Sequence, residues 1–252
     1  MAYKIMLDAG HFAKQNKSPC NTTPKYYEGD MAWKLQTYLK EELLKYGFVV
    51  GTTRTDNSKD LSPVYYRGEK AQGYDMFLSL HSNASPFNDV YEGLDRPVVI
   101  YPVKADAKVK SFANTLAKCV YSVMKTKQSY QILTREYDGY PGYDYYGVLR
   151  GAVEVGCKNA FIIEHGFHTD TKCTNWLLQD ANLQALAVAE AKSIAGYFGV
   201  SLPTQTTTPA TSAGKTIYKV QVGAYTKRIY ADALLTKLKN AGFDGYIVSE
   251  KG

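Results

Sequence analysis

The sequence predicts an α/β domain with a mostly parallel, twisted sheet and helices on both faces, followed by a small β-α-β unit. Three observations carry this reading. Short apolar or β-branched runs alternate with stretches of helical period through the first two hundred residues, as expected for parallel strands joined by crossover helices. The stretch SLPTQTTTPATSAG at 201–214 is Thr- and Pro-rich, uncharged and without an apolar period, so it reads as an extended linker. Residues 216–252 then repeat the strand-helix-strand pattern once. The expected organisation is a first domain at 1–200, a linker at 201–215 and a small unit at 216–252.

Taken in order, Tyr3–Leu7 is a short apolar strand that runs into Asp8-Ala9-Gly10. Met31 to Tyr46 carries Met31, Leu35, Leu39, Leu43 and Leu44 on one helical stripe, and Gly47 follows as a stop. Phe48–Thr53 is β-branched and aromatic, hence a strand. Tyr65–Gly73 reads as a helix, DMFLSLH at 75–81 as a buried strand, Pro97–Tyr101 as another, and Ala107–Lys125 as a helix. AFIIE at 160–164 is a further buried strand, and Asn175–Phe198 is mostly helix. In the tail, Thr216–Ala224 and Phe243–Ser249 read as strands around a helix with Ala231, Leu234, Leu235 and Leu238 on one face.

The bulk properties narrow the function. A net charge of +6 suits a polyanionic partner, although solubility alone accounts for it equally well. No helix-turn-helix, RRM or zinc-finger pattern is present, so no nucleic-acid partner is expected. No apolar run approaches the roughly 20 residues of a transmembrane segment. Ile5-Met6-Leu7 is too short for a secretory core, so synthesis in a bacterial cytoplasm without a signal peptide is the expectation. The cysteines at 20, 119, 157 and 173 form no C-x-x-C pair and are expected as free thiols. The 22 tyrosines cluster, most densely between Tyr137 and Tyr146, and ringed faces with hydroxyl tips suit a large polar ligand.

The chemistry concentrates where α/β sheets bind ligands, at the C-terminal ends of strands. Of the four histidines, His11 follows the first strand by a turn through Gly10, and His81 closes DMFLSLH. AFIIE ends in Glu164, and Glu28 comes just before the first helix. Two imidazoles and a carboxylate with an open fourth position form the ligand set of several zinc hydrolases. Zinc bound this way activates water near neutral pH and polarises a carbonyl, and a second carboxylate can carry the proton to a leaving nitrogen. Spacing alone leaves the plainer reading open, in which these are hydrogen-bonded structural residues. No H-E-x-x-H occurs, which excludes the helical zincin site.

Six segments in order add to this: LDAGH at 7–11, Glu28 opening a helix, YGFVVGTTRTD at 46–56, YRGEKAQGYDMFLSLHSNAS at 66–85, YGVLRGA at 146–152 and AFIIEHGFHTD at 160–170. On these, residues 4–198 resemble the zinc-dependent N-acetylmuramoyl-L-alanine amidases of cell-wall enzymes and phage endolysins. The resemblance implies one zinc per catalytic domain on His11, Glu28 and His81, with Glu164 as the catalytic carboxylate and peptidoglycan as substrate. Two departures stand out. Phe12-Ala13-Lys14 follows the first histidine where the family often has further glycines, so loop 12–27 does not transfer. His165 stands where many members have a small residue, and EHGFH looks closer to endolysins than to septal amidases. That implies a cell-lysing enzyme reaching the wall after release. The tail resembles the first half of a SPOR-type repeat, which implies glycan binding, a homodimer through 216–252 that supplies both halves, or both.

Other residues keep two readings. Asp8 is a turn residue or a brace for His11. Arg67 is structural, and Asn83 fixes the His81 loop. His165 and His168 hold loops, touch substrate or, as H-x-x-H, form a second metal site. The Tyr137–Tyr146 cluster is a wall of the substrate groove or a braced loop. A zinc peptidase of the stem peptide and a non-catalytic wall-binding protein remain as alternative functions.

Overall fold

The computed structural model of the chain describes residues 2–58, 62–202, 221–240 and 245–249. It divides into two compact units, Met1–Thr204 and Gln205–Gly252. The first unit begins with β1 (Lys4–Ala9), α1 (Glu28–Lys45), β2 (Val49–Thr52), α2 (Val64–Glu69) and β3 (Met76–Asn83). It continues with β4 (Val98–Ile100), α3 (Ala107–Met124), β5 (Gln131–Leu133), β6 (Glu136–Tyr137) and β7 (Tyr140–Asp144). It closes with α4 (Gly147–Glu154), β8 (Ala160–Phe167), α5 (Thr171–Leu177) and α6 (Asp180–Phe198).

Six strands form one sheet in the order β2-β1-β3-β8-β4-β5. All neighbours are parallel except β4 against β8. Alternating side chains send Leu78, Leu80, Phe161 and Ile163 into a large core against α1, α3 and α6. Phe77, Ile162 and Met6 go to a smaller core with α4 on the opposite face. Both faces are thus covered, which is why the strands read as near-continuous apolar runs.

The smaller face rests on a close seam between α2 and α4. A Cβ on Gly68 would lie 2.2 Å from the Val148 carbonyl oxygen, and one on Gly151 would lie 2.1 Å from that of Tyr65. Only glycine lets the two backbones meet. Apart from this sheet, β6 and β7 pair antiparallel as a separate hairpin that turns at Gly139, with φ +79°.

Several expected boundaries move. Glu28 lies within α1, as its first residue. β3 runs on to Asn83, with a register shift between His81 and Asn83, and β8 runs on to Phe167. His81 and Glu164 therefore sit inside strands that continue past them. Apolar content could not mark those ends, because the extensions SN and HGF hold polar side chains that find buried partners. The expected single helix 175–198 is broken between α5 and α6.

In the second unit, the described residues contain one helix, α7 (Arg228–Asn240), and no strand. The two expected tail strands lie partly outside the described residues, as does the linker apart from Ser201 and Leu202. Val222, Ile229, Tyr230, Tyr246 and Val248 are all more than half exposed. Among the described residues, no helix is long and apolar enough to cross a membrane.

Candidate metal centre and active site

The turn after β1 brings His11 to the rim of the sheet. Its backbone takes φ 55°, a left-handed conformation uncommon for a non-glycine residue. Arg54 holds the turn there, donating from Nη2 to the His11 carbonyl at 2.7 Å and to the Ala9 carbonyl at 3.3 Å. The Arg54 guanidinium in turn lies 4.9 Å from the Trp33 ring centroid. Asn57 accepts from the Ala13 amide at 3.0 Å and from Arg54 Nη1 at 2.9 Å. Gly10 is required by a close approach: a Cβ there would lie 2.2–2.5 Å from three atoms of the His81 ring.

Glu28, at the N-terminus of α1, is buried to 1% exposure and divides its oxygens between the two histidines. Oε1 lies 2.8 Å from His81 Nδ1 and accepts the Ser82 amide at 3.0 Å. Oε2 lies 3.4 Å from His11 Nε2 and accepts from Asn16 Nδ2. One donor atom from each of His11, Glu28 and His81 falls within 4.8 Å of the others. Tetrahedral zinc with bonds of about 2.0–2.2 Å sets its ligand atoms roughly 3.4 Å apart. The triad fits such an ion with small shifts, and its donor set of two imidazoles and one carboxylate suits zinc.

The electrostatics favour an anionic Glu28. Burial pushes its carboxyl up, but His81 by hydrogen bond and charge, with His11 and His168, overrides this and leaves it at about 2. Burial also lowers the His11 imidazole, more than Glu28 raises it. For His81 the balance reverses, since burial is outweighed by the hydrogen bond and charge of Glu28.

A buried chain of polar groups stands behind His81. Its Nε2 lies 3.0 Å from Ser79 Oγ, which donates to Asp8 Oδ2 at 2.7 Å. Asp8 also accepts from Thr53 Oγ1 at 2.6 Å and pairs with Arg67 through Nε at 2.9 Å and Nη2 at 2.6 Å. Burial tends to raise the Asp8 carboxyl, but Arg67, Thr53 and Ser79 hold it below its usual range. Asp8 is therefore a strand residue that braces His81 rather than a turn residue or a brace for His11. Arg67 is its buried partner. Asn83 accepts the Ala84 amide through its side chain and the His168 amide through its carbonyl.

Glu164 sits beside His81, paired with it in register across β3 and β8. It is partly exposed, yet its Oε2 is buried with no hydrogen-bond partner. Burial raises its carboxyl to about 7. The His81 charge lowers it and the Glu28 charge adds to the rise. Such a group gives and takes protons near neutral pH.

His165 and His168 have separate environments. His165, on the opposite face of β8, lies 2.7 Å from Glu190 Oε1 and 2.9 Å from the His81 carbonyl. Both ring nitrogens of His165 are thus engaged within the core. Burial opposes a charge on the ring, but Glu190 outweighs it and raises the group. His168 packs on the Tyr26 ring, with Nδ1 at 2.9 Å from Ser82 Oγ. Among the described residues, His11, Glu28 and His81 are the single group that could hold a metal, so H-x-x-H makes no second site there. Sequence reasoning missed Arg54, Ser79, Ser82 and Glu190. Arg54, Ser79 and Ser82 carried a signal by lying inside matched segments, the two serines beside His81, and Glu190 carried none.

Comparison with known proteins adds the following. The model of the N-acetylmuramoyl-L-alanine amidase family matches residues 5–196, and that of the SPOR domain matches residues 175–249. Residues 175–196 fall in both matches. In the structure they lie in α5 and α6, where Leu183, Leu186, Ala191 and Ile194 are core of the first unit. No curated protein matches the chain. Among solved structures, an N-acetylmuramoyl-L-alanine amidase from Clostridium difficile 630 superposes with a TM-score of 0.64 at 23% identity, covering 79% of this chain and 97% of that one. The catalytic domain of the amidase CwlV from Bacillus (Paenibacillus) polymyxa var. colistinus gives 0.62 at 19% identity, covering 79% and 99%. The Clostridioides difficile amidase CwlD, solved with the GerS lipoprotein, gives 0.63 at 19%, covering 78% and 98%.

Proposed function

We propose, for a chain that belongs to the N-acetylmuramoyl-L-alanine amidase family, that one zinc ion on His11, Glu28 and His81 and a proton carrier at Glu164 together cleave peptidoglycan. The bond cut joins N-acetylmuramic acid to L-alanine. The observation that carries the mechanism is the contrast at the rim: Glu28 is hydrogen-bonded at both oxygens, while Glu164 keeps a buried oxygen free.

Zinc held by the triad supplies Lewis acidity near neutral pH. The residues do the remainder. Glu28, fixed by Ser82 and Asn16, aims an anionic carboxylate between the two imidazoles. Ser79 and Asp8 orient the His81 ring from behind. Glu164 takes a proton from the attacking water as its oxygen bonds the lactyl carbonyl carbon. It then delivers that proton to the alanine nitrogen as the C–N bond breaks. The products are a lactyl carboxylate on the glycan and a free amino terminus on the stem peptide.

The second unit is proposed to bind the glycan and to pair with a second copy through 216–252. Supporting this, the part of the SPOR match within 175–196 is committed to the catalytic core. The exposed apolar side chains of the tail also offer a surface to cover. A monomeric mass for the full chain in sedimentation would refute the pairing. Proposed too is a lytic role at the wall after release from a bacterial cytoplasm. It is supported by EHGFH at 164–168 and tested by lysis from outside by added protein.

The deciding experiment is Glu164→Gln. Zinc content is expected to stay at one per chain while release of lactyl carboxylates falls about a hundredfold or more. Near-normal hydrolysis would remove Glu164 from the mechanism.

A further inference from the structure

The β6–β7 hairpin carries tyrosines that the core does not use. Ring centroids step from Tyr143 to Tyr140 at 6.4 Å, to Tyr137 at 5.6 Å, to Tyr145 at 6.3 Å and to Tyr146 at 5.2 Å. The first four side chains are 39–60% exposed. The last ring stands against the strand of the site: Tyr146, at the N-cap of α4, packs on the cluster that holds Ile162 and Phe167 of β8, the strand that carries Glu164.

Cations lie along the same run. The Arg135 guanidinium is 3.6 Å from the Tyr145 centroid, that of Arg150 is 5.2 Å from Tyr137, and the Lys104 ammonium is 5.7 Å from Tyr143. The run is also braced. Arg150 Nη1 donates to the carbonyls of Asp144 and Tyr145 at 2.6 and 2.9 Å, and Asp144 accepts the Val103 amide at 2.8 Å. A surface fixed before binding loses little conformational entropy on contact.

We propose that this tyrosine run is a rail for the glycan strand of peptidoglycan, leading it from the hairpin to Glu164. The proposal rests on the amidase reading above. Pyranose rings present C–H faces that pack on aromatic rings, and tyrosine adds a hydroxyl for sugar hydroxyls and acetamido groups. A peptide has no such regular succession of flat faces. The carboxylates of the polymer's stem peptides match the cations spaced along the rail, which no uncharged glycan would need. The packing of Tyr146 on β8 assigns the direction, since a strand lying on the rail ends beside the strand that carries Glu164.

The test compares the full chain with its Tyr140→Ser/Tyr143→Ser variant, both positions being more than half exposed. The readout is kcat/KM on intact sacculi divided by kcat/KM on one disaccharide bearing its stem peptide. That ratio is expected to fall about tenfold in the variant, and Tyr140→Phe/Tyr143→Phe is expected to recover it. Glycan strands stripped of peptide should compete with sacculi for the parent and about tenfold less well for the Ser variant. An unchanged ratio overturns the rail, as does competition by free stem peptide without competition by stripped glycan. A parent chain that cuts neither substrate sinks the amidase reading instead.

Discussion

The rim of the sheet is built in two ways. On the β1–β3 side three groups are each answered: Glu28 by Ser82 and Asn16, His81 by Ser79, Asp8 by Arg67 and Thr53. On the β8 side Glu164 keeps a buried oxygen with no partner. A buried unsatisfied oxygen costs about 1–3 kcal/mol. Under the proposed roles, the difference teaches where the fold invests in position and where in reactivity. Ligands need one geometry, which saturation by hydrogen bonds gives. A proton carrier must exist in two states, and a full set of donors would trap it in one.

The comparison can be broken first at the ligands. His11→Ala/His81→Ala is expected to remove zinc and reduce hydrolysis to background, because a single carboxylate does not hold the ion. Retained zinc by metal analysis would show that the saturated side is not the metal side. Asp8→Asn tests the saturation itself. Zinc affinity is expected to drop about 10–100-fold, the usual effect of losing a group behind a ligating histidine, and competition with a chromophoric chelator measures it. An unchanged affinity would reduce Asp8 to a core ion pair.

Glu164 sharpens the other half through stability. Burial lifts its carboxyl from an ordinary 4.5 to about 7. Across that window the folded chain binds more protons than the unfolded chain, so stability falls as pH rises through it. In zinc-free protein, Glu164→Gln should therefore match the parent below pH 4.5 and exceed it above pH 7. The expected gain is about 1 kcal/mol or more, roughly 2–4 °C in Tm. Equal melting at both ends of the scale would mean that the carboxyl is not held neutral by its site. The smallest effect is expected from cutting after Thr204. The Met1–Thr204 unit has its own core and should keep its Tm, and calorimetry checks this.

How far the site was legible follows from the same contrast. The meeting of His11, Glu28, His81 and Glu164 at one rim was readable because each stands at or near the end of an apolar run or the start of a helix. Periodicity points to the C-terminal rim of a parallel sheet. The supporting groups were not readable. Asp8 and Ser79 come together across paired strands β1 and β3, and Arg67 arrives from a helix 59 residues away in sequence. Such meetings depend on register and helix placement, which a linear pattern does not encode. His165 shows the same dependence on placement. Beside Glu164 in sequence, it points through the other face of β8 to Glu190, the alternation that strand geometry imposes. The antiparallel setting of β4 was invisible because VVI reads the same in either direction.

The seam where Gly68 and Gly151 bring α2 and α4 backbone to backbone has a mechanical meaning. α2 carries Arg67, the clamp on the group behind His81, and α4 starts from Tyr146, which packs on the cluster that holds Ile162 and Phe167 of β8. With no side chain between them to compress or slide, the two helices share one frame. On the proposed rail, the span from sugar-facing ring to scissile bond is then a fixed length, like the distance from fence to blade on a saw. Widening that seam by a methyl group would leave a sharp blade with its fence out of true.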